Sequence, residues 1–199
     1  MILNPIKLFL SVLLVANLAT AQQQFNPEKV SEAALNLTKQ QVVYDGSYYS
    51  IPYPNGDVPE GIGVCTDVVI RTYRANGIDL QKEVHEDMTK HFELYPKIWG
   101  LTKPDSNIDH RRVPNLMTYF ERNDAELSIT NKGADYKPGD IVAWDLGGGT
   151  THIGIVVDRL SNDKKRYKIV HNIGGGQVLE DCLFDFDIIG HYRTIELIN

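Results

Sequence analysis

The sequence predicts an α+β fold in which a group of helices precedes an antiparallel sheet. Helical patterns dominate up to about residue 122, and strand patterns dominate from residue 138 onward. Glycine runs at residues 147–149 and 174–176 separate the later strands. Helices that are followed by strands favour separate layers, because a parallel sheet would need the two element types to alternate.

Four helices are predicted in the first two thirds of the chain, from apolar stripes with a helical period. They cover residues 25–43, 65–77, 83–92 and 115–122. Pro27 suits the first turn of the first helix, and Gly77 suits the end of the second. Residues 44–63 are rich in tyrosine, proline and glycine, so we predict a loop that leads directly into Cys65.

Four strands are predicted after residue 137, from short runs rich in β-branched residues. They cover residues 141–144, 152–158, 167–172 and 188–197. Neither glycine run precedes a helix that begins with Lys-Ser or Lys-Thr. Both runs are therefore interpreted as turns between strands and not as phosphate-binding loops.

Length and charge restrict the class of protein. The chain has 199 residues, of which 42% are hydrophobic and 23% charged, as in a globular domain with a sizeable core. Its formal net charge of −6 argues against nucleic acid as a partner, because nucleic-acid binders normally carry a basic excess. The same charge gives no general attraction to an anionic membrane surface. We expect a monomer.

The first 21 residues have the pattern of a secretory signal peptide. Lys7 precedes an apolar run from Leu8 to Ala16, and Ala19-Thr20-Ala21 forms an Ala-x-Ala cleavage site. The run is short for a bilayer core of about 30 Å, which favours cleavage after Ala21 over an uncleaved anchor. Residues 22–199 are predicted to form a single domain without a membrane span, located in the periplasm or secreted.

Cys65 is the candidate nucleophile. A helix start presents free N–H groups, which can stabilise a thiolate and an oxyanion, so we expect this position to lower the pKa of the thiol. The alternative is a small cysteine that only packs in a core. Cys182 lies beside Leu183 and Phe184 and is expected to be buried, with a disulfide to Cys65 as the alternative.

Two histidines on successive predicted strands complete a possible catalytic set. His152 is interpreted as the general base and His171 as the group that orients it, with Asn172 as the alternative orienting residue. Cys65, His152 and His171 also have the donor types of a zinc site. No Cys-x-x-Cys or His-Glu-x-x-His spacing accompanies them. The sequence therefore predicts neither a metal nor a cofactor.

Four further residues are expected to contact a substrate. Arg111 and Arg112 belong to the main local cationic cluster of an acidic chain, and either can pair with a carboxylate, although a solvated surface is the alternative. Asp67 falls in the first turn of the helix that carries the candidate nucleophile. Tyr53, in the preceding loop, is our candidate for a second oxyanion donor beside a backbone N–H group.

Several segments resemble the NlpC-type cell-wall cysteine peptidases. They are residues 64–80 around the cysteine, Pro138-Gly139-Asp140-Ile141-Val142, His152-Ile153-Gly154-Ile155-Val156-Val157 and Ile169-Val170-His171. Finer detail resembles an exported bacterial family, domain of unknown function 1287. The segments that carry this second resemblance are Asp57-Val58-Pro59 and residues 84–88, 107–114 and 190–193. This second resemblance covers nearly all of the chain after the signal peptide.

The resemblance implies a papain-like fold, with a helix that carries Cys65 packed on an antiparallel sheet that carries His152 and His171. It also implies cleavage of amide bonds in peptidoglycan stem peptides, with these three residues as nucleophile, base and third polar group. NlpC-type enzymes typically cut between D-glutamate and a diamino acid. Two differences are expected to alter the substrate groove: residues 81–137 exceed the usual connection, and Thr66-Asp67 replaces the usual Ser-Gly.

Two other functions are compatible with these residues. An amidase or acyltransferase that uses a lipid or an amine would need the same groups, and its product would carry the added amine instead of a free acid. A module that only binds the cell envelope is the third possibility. The complete set of one cysteine and two histidines argues against that last function.

Overall fold

The computed structural model describes residues 26–194, so the predicted signal peptide lies outside the described residues. The helices are α1 (Pro27–Leu37), α2 (Cys65–Ala75), α3 (Leu80–His91) and α4 (Val113–Arg122). The strands are β1 (Val43–Tyr44), β2 (Ile62–Gly63), β3 (Ile141–Asp145), β4 (Thr151–Leu160), β5 (Tyr167–His171), β6 (Val178–Glu180) and β7 (Asp187–Tyr192). The predicted α+β class is confirmed.

The central feature is a five-stranded antiparallel sheet with the strand order β6-β5-β4-β3-β7. Strand β4 lies in the middle of this sheet and β5 lies directly beside it, so the strands that carry the two candidate histidines are neighbours. Strands β1 and β2 form a separate parallel pair. Strands β1, β2 and β6 were not predicted from the sequence, because strands of two or three residues are too short to show a periodic pattern.

Two hydrophobic clusters cover the two faces of the sheet. The larger one joins all four helices to alternate residues of β3 and β4, among them Ile141, Ala143, Ile153 and Ile155. The smaller one contains Trp144, Val156 and Ile169 of the sheet together with Cys182 and Leu183 of the segment after β6. The alternation of β4 side chains places His152 on the same side of the strand as Val156, next to Trp144.

Helix α2 begins at Cys65 because of the contacts of its first turn. The carboxylate of Asp67 accepts a hydrogen bond of 2.7 Å from the N–H of Val64, one of the groups that a helix start leaves unpaired. The helix ends before Gly77, whose φ of 84° belongs to the left-handed region that glycine tolerates best. Helix α2 packs on β4, so its first residue lies close to the start of that strand.

The first helix differs from its prediction. Helix α1 ends at Leu37, six residues before the predicted end at residue 43, because residues 38–40 form tighter turns with hydrogen bonds three residues back. The described part of the last strand ends at Tyr192. No helix in residues 26–194 has the length and the apolar content that a membrane crossing requires.

Gly154 allows β4 and β5 to approach each other beside the candidate histidines. A Cβ atom at this position would lie 2.7 Å from Cγ2 of Ile169 and 3.1 Å from Cβ of His171. We expect Gly154→Ala to lower the free energy of unfolding by about 1–3 kcal/mol, since the core has no room for the methyl group. Urea unfolding followed by circular dichroism measures this loss.

Gly175→Ala is the matched control for that substitution. A Cβ atom at Gly175 would meet no heavy atom within 4 Å. We expect this variant to unfold at nearly the urea concentration of the wild-type chain. An equal loss of stability in both variants would contradict the close packing that we assign to Gly154.

Candidate active site

Cys65 is the first residue of α2, and its side chain is buried. Backbone groups of Ile153 and Thr66 lie close enough to the thiol to act on its pKa. Ile153 follows His152 on β4, so the helix start and the strand with the candidate base meet at the thiol. No hydrogen bond joins the thiol to the ring of His152 in the part of the chain that the structure describes. In substrate-free enzymes such catalytic hydrogen bonds are often long.

Burial sets the protonation states of the candidate nucleophile and base. It raises the pKa of the Cys65 thiol to about 11, against the opposing effect of the backbone hydrogen bonds. Burial, followed by the nearby His171, lowers the pKa of His152 to about 3. The expectation that the helix start lowers the thiol pKa is therefore wrong for this state, since loss of water outweighs the helix N–H groups. Both groups are neutral at neutral pH.

Three side chains form a hydrogen-bonded line on the sheet. Nε2 of His152 lies 2.8 Å from Nδ1 of His171, and Nε2 of His171 lies 3.0 Å from Oε2 of Glu180. Trp144 stacks on His152, with 5.6 Å between the ring centroids. Asn172, the alternative third residue, donates instead to the carbonyl of Gly63 at 3.1 Å. His171 is thus the residue that contacts His152.

This line determines which nitrogen of each histidine carries the proton. A carboxylate only accepts hydrogen bonds, so Nε2 of His171 donates to Glu180 and leaves a lone pair on Nδ1. That lone pair accepts the N–H of His152 Nε2. His152 consequently keeps a lone pair on Nδ1, the form that a general base needs. Glu180 was not predicted from the sequence, because it lies on the short strand β6.

Cys182 lies next to Nε2 of His171, the ring nitrogen that faces away from His152. Its sulfur is 3.5 Å from Nε2 of His171, and burial raises the pKa of its thiol to about 12. Both Cys182 and Cys65 are free and buried. The disulfide that the sequence left as an alternative is therefore not formed, and the prediction of a buried Cys182 is correct.

A cavity of about 220 Å³ opens beside the candidate nucleophile. It is lined by Tyr44, Gly46, Val64, Cys65, Trp99, Ile108, Arg111, Arg112, Val113, Pro114 and Thr151. More than half of these residues come from the long segment 81–137. That segment therefore builds one wall of the space next to the thiol.

The tyrosine beside the nucleophile is Tyr44. It lies on β1, paired in register with Gly63 of β2, and it lines the cavity. Burial and the nearby Cys65 raise its pKa. Tyr53, the candidate from the sequence, instead packs edge-on against His85 with 5.1 Å between the ring centroids and is not part of the cavity wall. Tyr44 was not predicted from the sequence, because a two-residue strand shows no pattern that would place it beside the nucleophile.

Asp67 and Arg111, two of the expected substrate contacts, bind each other. The guanidinium donates to both carboxylate oxygens at 3.0 and 2.9 Å, and both side chains are almost fully buried. Arg111 also donates to the carbonyl of Ser47 at 3.1 Å. The hydroxyl of Thr66 donates to the carbonyl of Arg111 at 3.2 Å. These contacts join the start of α2 to the long segment and to the loop after β1.

Arg112 has a different environment from its neighbour. Its guanidinium lies 4.1 Å from the ring centre of Trp99, a cation–π contact, and 3.7 Å from a carboxylate oxygen of Asp109. Its side chain is 16% exposed and lines the cavity. Both arginines line the cavity, but the guanidinium of Arg111 is paired with Asp67, whereas that of Arg112 lies over Trp99.

The architecture and this cluster define an α+β protein with a cysteine at a helix start and two histidines on an antiparallel sheet. The sequence matches the family described as "Domain of unknown function (DUF1287)" over residues 31–194. The chain belongs to the DUF1287 family, which confirms the resemblance. It is 48% identical over 164 residues to "Uncharacterized protein YijF" of Escherichia coli (strain K12), covering 82% of this chain and 80% of that protein.

A solved structure gives a more distant match. It is described as similar to lipoprotein, NLP/P60 family, and comes from Staphylococcus aureus subsp. aureus Mu50. The superposition has a TM-score of 0.43 and 16% sequence identity, and it covers 89% of this chain. It covers 45% of that chain, so the present chain spans less than half of its length.

The raised thiol pKa predicts how Cys65 reacts with an alkylating agent. Because the folded-state pKa is about 11, the thiolate fraction is small at neutral pH and grows as the pH approaches that value. We expect iodoacetamide labelling of Cys65 to rise steadily from neutral pH to about pH 10. Mass spectrometry of the Cys65 peptide gives the rate, with glutathione in the same tube as the control. A rate that levels off below about pH 8 would contradict the neutral thiol.

Proposed function

We propose that this chain is an exported thiol hydrolase that cleaves amide bonds in the stem peptides of bacterial peptidoglycan. The observation that carries the proposal is the hydrogen-bonded line from His152 through His171 to Glu180. Its His152 end lies on β4, next to Ile153, whose backbone lies near the Cys65 thiol. A thiol hydrolase needs a nucleophile, a base with a free lone pair, and a group that fixes the base in that form. These residues have the chemistry for all three tasks.

The proposed reaction starts from two neutral groups. Nδ1 of His152 takes the proton of the Cys65 thiol as the sulfur attacks the amide carbonyl, so a carbon–sulfur bond forms. His152 then gives that proton to the leaving nitrogen, and the carbon–nitrogen bond breaks. Water, activated by the same nitrogen, hydrolyses the thioester and frees the cysteine. His171 and Glu180 stabilise the imidazolium that exists between the two proton transfers.

The oxyanion of the tetrahedral intermediate needs donors next to the thiol. The N–H of Cys65 lies at the free start of α2, where backbone groups and the helix dipole favour negative charge. We propose the hydroxyl of Tyr44 as the second donor, in place of Tyr53, because Tyr44 lines the cavity at Cys65. Donors in a buried site stabilise charge more strongly than donors in water.

The substrate class rests on the resemblance to NlpC-type peptidases and on the charge of the cavity wall. Stem peptides carry free carboxylates, and Arg112 extends over Trp99 into the cavity, where it can pair with one of them. Asp67 and Arg111 are proposed to hold the wall in place, since their charges already neutralise each other. Export through the predicted signal peptide would bring the chain to this substrate.

Replacement of the nucleophile tests the proposal directly. We expect Cys65→Ala to reduce cleavage of purified muropeptides by at least about 1,000-fold, and His152→Ala to have a comparable effect, because the two residues act as a unit. Mass spectrometry of the digested peptides measures the products. A new free carboxyl group identifies hydrolysis, whereas a product with an added amine would favour an acyltransferase.

The control for these variants is His91→Ala, which replaces a histidine of α3 outside the proposed catalytic set. It should cleave at close to the wild-type rate. Undiminished cleavage by Cys65→Ala, or no cleavage of any peptidoglycan peptide by the folded wild-type chain, would contradict the proposed function.

Glu180 is proposed as a positioning residue that acts through His171. We expect Glu180→Ala to lower kcat by about tenfold with little change in KM, since the catalytic tautomer of His152 becomes less populated. Glu180→Gln keeps an oxygen that accepts the N–H of His171, so it should retain more activity than the alanine variant. Steady-state kinetics on one purified muropeptide measures both effects.

Glu32→Ala provides the control, because it removes an exposed carboxylate of α1. Its kinetic constants should match the wild-type values. Equal activity of Glu180→Ala and the wild type would show that Glu180 does not act on the base. A change in KM alone would point to substrate binding instead.

A further inference from the structure

Three side chains of different chemistry converge on the side of His171 that faces away from His152. They are Nε2 of His171 itself, the carboxylate of Glu180 and the thiol of Cys182. The nitrogen lies 3.0 Å from the carboxylate oxygen and 3.5 Å from the sulfur. All three atoms lie within 4.8 Å of one another. Glu180 lies on β6 and Cys182 just after it, and the pairing of β6 with β5 brings both residues next to His171.

The spacing and the donor types fit a tetrahedral cation that binds nitrogen, sulfur and oxygen. Ligands about 2.0–2.3 Å from zinc lie about 3.3–3.7 Å from one another. The two distances from Nε2 are close to that range, and the carboxylate oxygen and the sulfur lie within 4.8 Å of each other. One thiolate and one carboxylate would balance the charge of a divalent ion, and the half-exposed Glu180 leaves a side open to water for a fourth ligand.

Neighbouring contacts hold this cluster in place. Asp181, between the two outer ligands, accepts two hydrogen bonds of 2.7 and 2.8 Å from Arg166. The indole of Trp144 donates to the carbonyl of Leu183 at 3.0 Å, just after Cys182. The other nitrogen of His171 contacts His152, the kind of second contact that orients a metal-binding histidine. The ligand positions are therefore set by the sheet and its adjoining loop.

We propose that His171, Glu180 and Cys182 form a binding site for a thiophilic divalent cation of the zinc class. The bound ion prevents His152 from acting as the general base. The metal site is argued from the positions of its three ligands, and the inhibition rests on the proposed function. The residues differ from the set that the sequence suggested for zinc, with His171 as the common member.

The switch follows from the tautomers. A metal on Nε2 of His171 requires a lone pair there, so the ring proton moves to Nδ1 and donates to Nε2 of His152. His152 must then carry its own proton on Nδ1, and that nitrogen loses the lone pair that accepts the thiol proton. Metal binding and catalysis thus need opposite tautomers of the same two rings.

The protons balance in this exchange. His171 loses the proton on Nε2 and gains one on Nδ1, and His152 does the same, so both rings stay neutral. The net movement is one proton from Nε2 of His171 to Nδ1 of His152, carried by solvent. The thiol proton of Cys182 is released to solvent as the sulfur binds the ion.

The test uses Co²⁺ as the probe in a Cys65→Ala background, so that any thiolate signal comes from Cys182. We expect a near-ultraviolet sulfur-to-cobalt absorption band as Co²⁺ is added, and its loss as Zn²⁺ displaces the cobalt. In Cys65→Ala/Cys182→Ser the band should vanish and the cobalt affinity should fall by at least about tenfold. Circular dichroism shows that both variants are folded, and Cys182→Ala provides a second substitution at the position.

The switch is measured on the same Cys65→Ala chain with ¹⁵N-labelled histidine. Long-range ¹H–¹⁵N spectra should show the proton of His152 on Nε2 without metal and on Nδ1 with Zn²⁺. Neither measurement needs hydrolysis, so a failure of the proposed function does not affect them. Absence of the cobalt band in folded Cys65→Ala would overturn the site. Zinc bound at His171 with the proton of His152 still on Nε2 would overturn the switch.

Discussion

The hydrogen bond between Nε2 of His152 and Nδ1 of His171 is the interaction on which the proposed chemistry depends. It exists because β4 and β5 are adjacent strands, and because Gly154 lets them approach beside the two rings. Once this bond is in place, the partner of Nε2 of His171 determines the tautomer of His152. A carboxylate there favours the base, and a metal ion there would oppose it. One nitrogen atom thus connects catalysis with the proposed regulation.

A second constraint joins the candidate nucleophile to the long segment 81–137. Thr66 and Asp67, the two residues after Cys65, both contact Arg111 of that segment. The start of α2 and the long segment are therefore held together directly. A carboxylate at position 67 supplies the partner that a buried guanidinium requires, since an unpaired buried charge is strongly destabilising. The cavity wall beside Cys65 follows from that pairing.

The sequence was sufficient for the larger elements, and the structure was needed for the short ones. Helix α2 and strands β3, β4 and β5 have clear periodic patterns, so the positions of Cys65, His152 and His171 could be predicted. Strands β1 and β6 have two and three residues, and they carry Tyr44 and Glu180. Neither residue has a local signal, because its role arises only from tertiary contacts. The thiol pKa was also missed, since burial depends on packing that a local motif does not reveal.

The tautomer of His152 in the metal-free wild-type chain tests the central claim most directly. Long-range ¹H–¹⁵N correlation spectra of ¹⁵N-histidine-labelled protein separate a protonated ring nitrogen from one that carries a lone pair. The account predicts that His152 is neutral at neutral pH, with its proton on Nε2 and a lone pair on Nδ1. A proton on Nδ1, or a doubly protonated ring, would contradict the hydrogen-bonded line through His171 to Glu180.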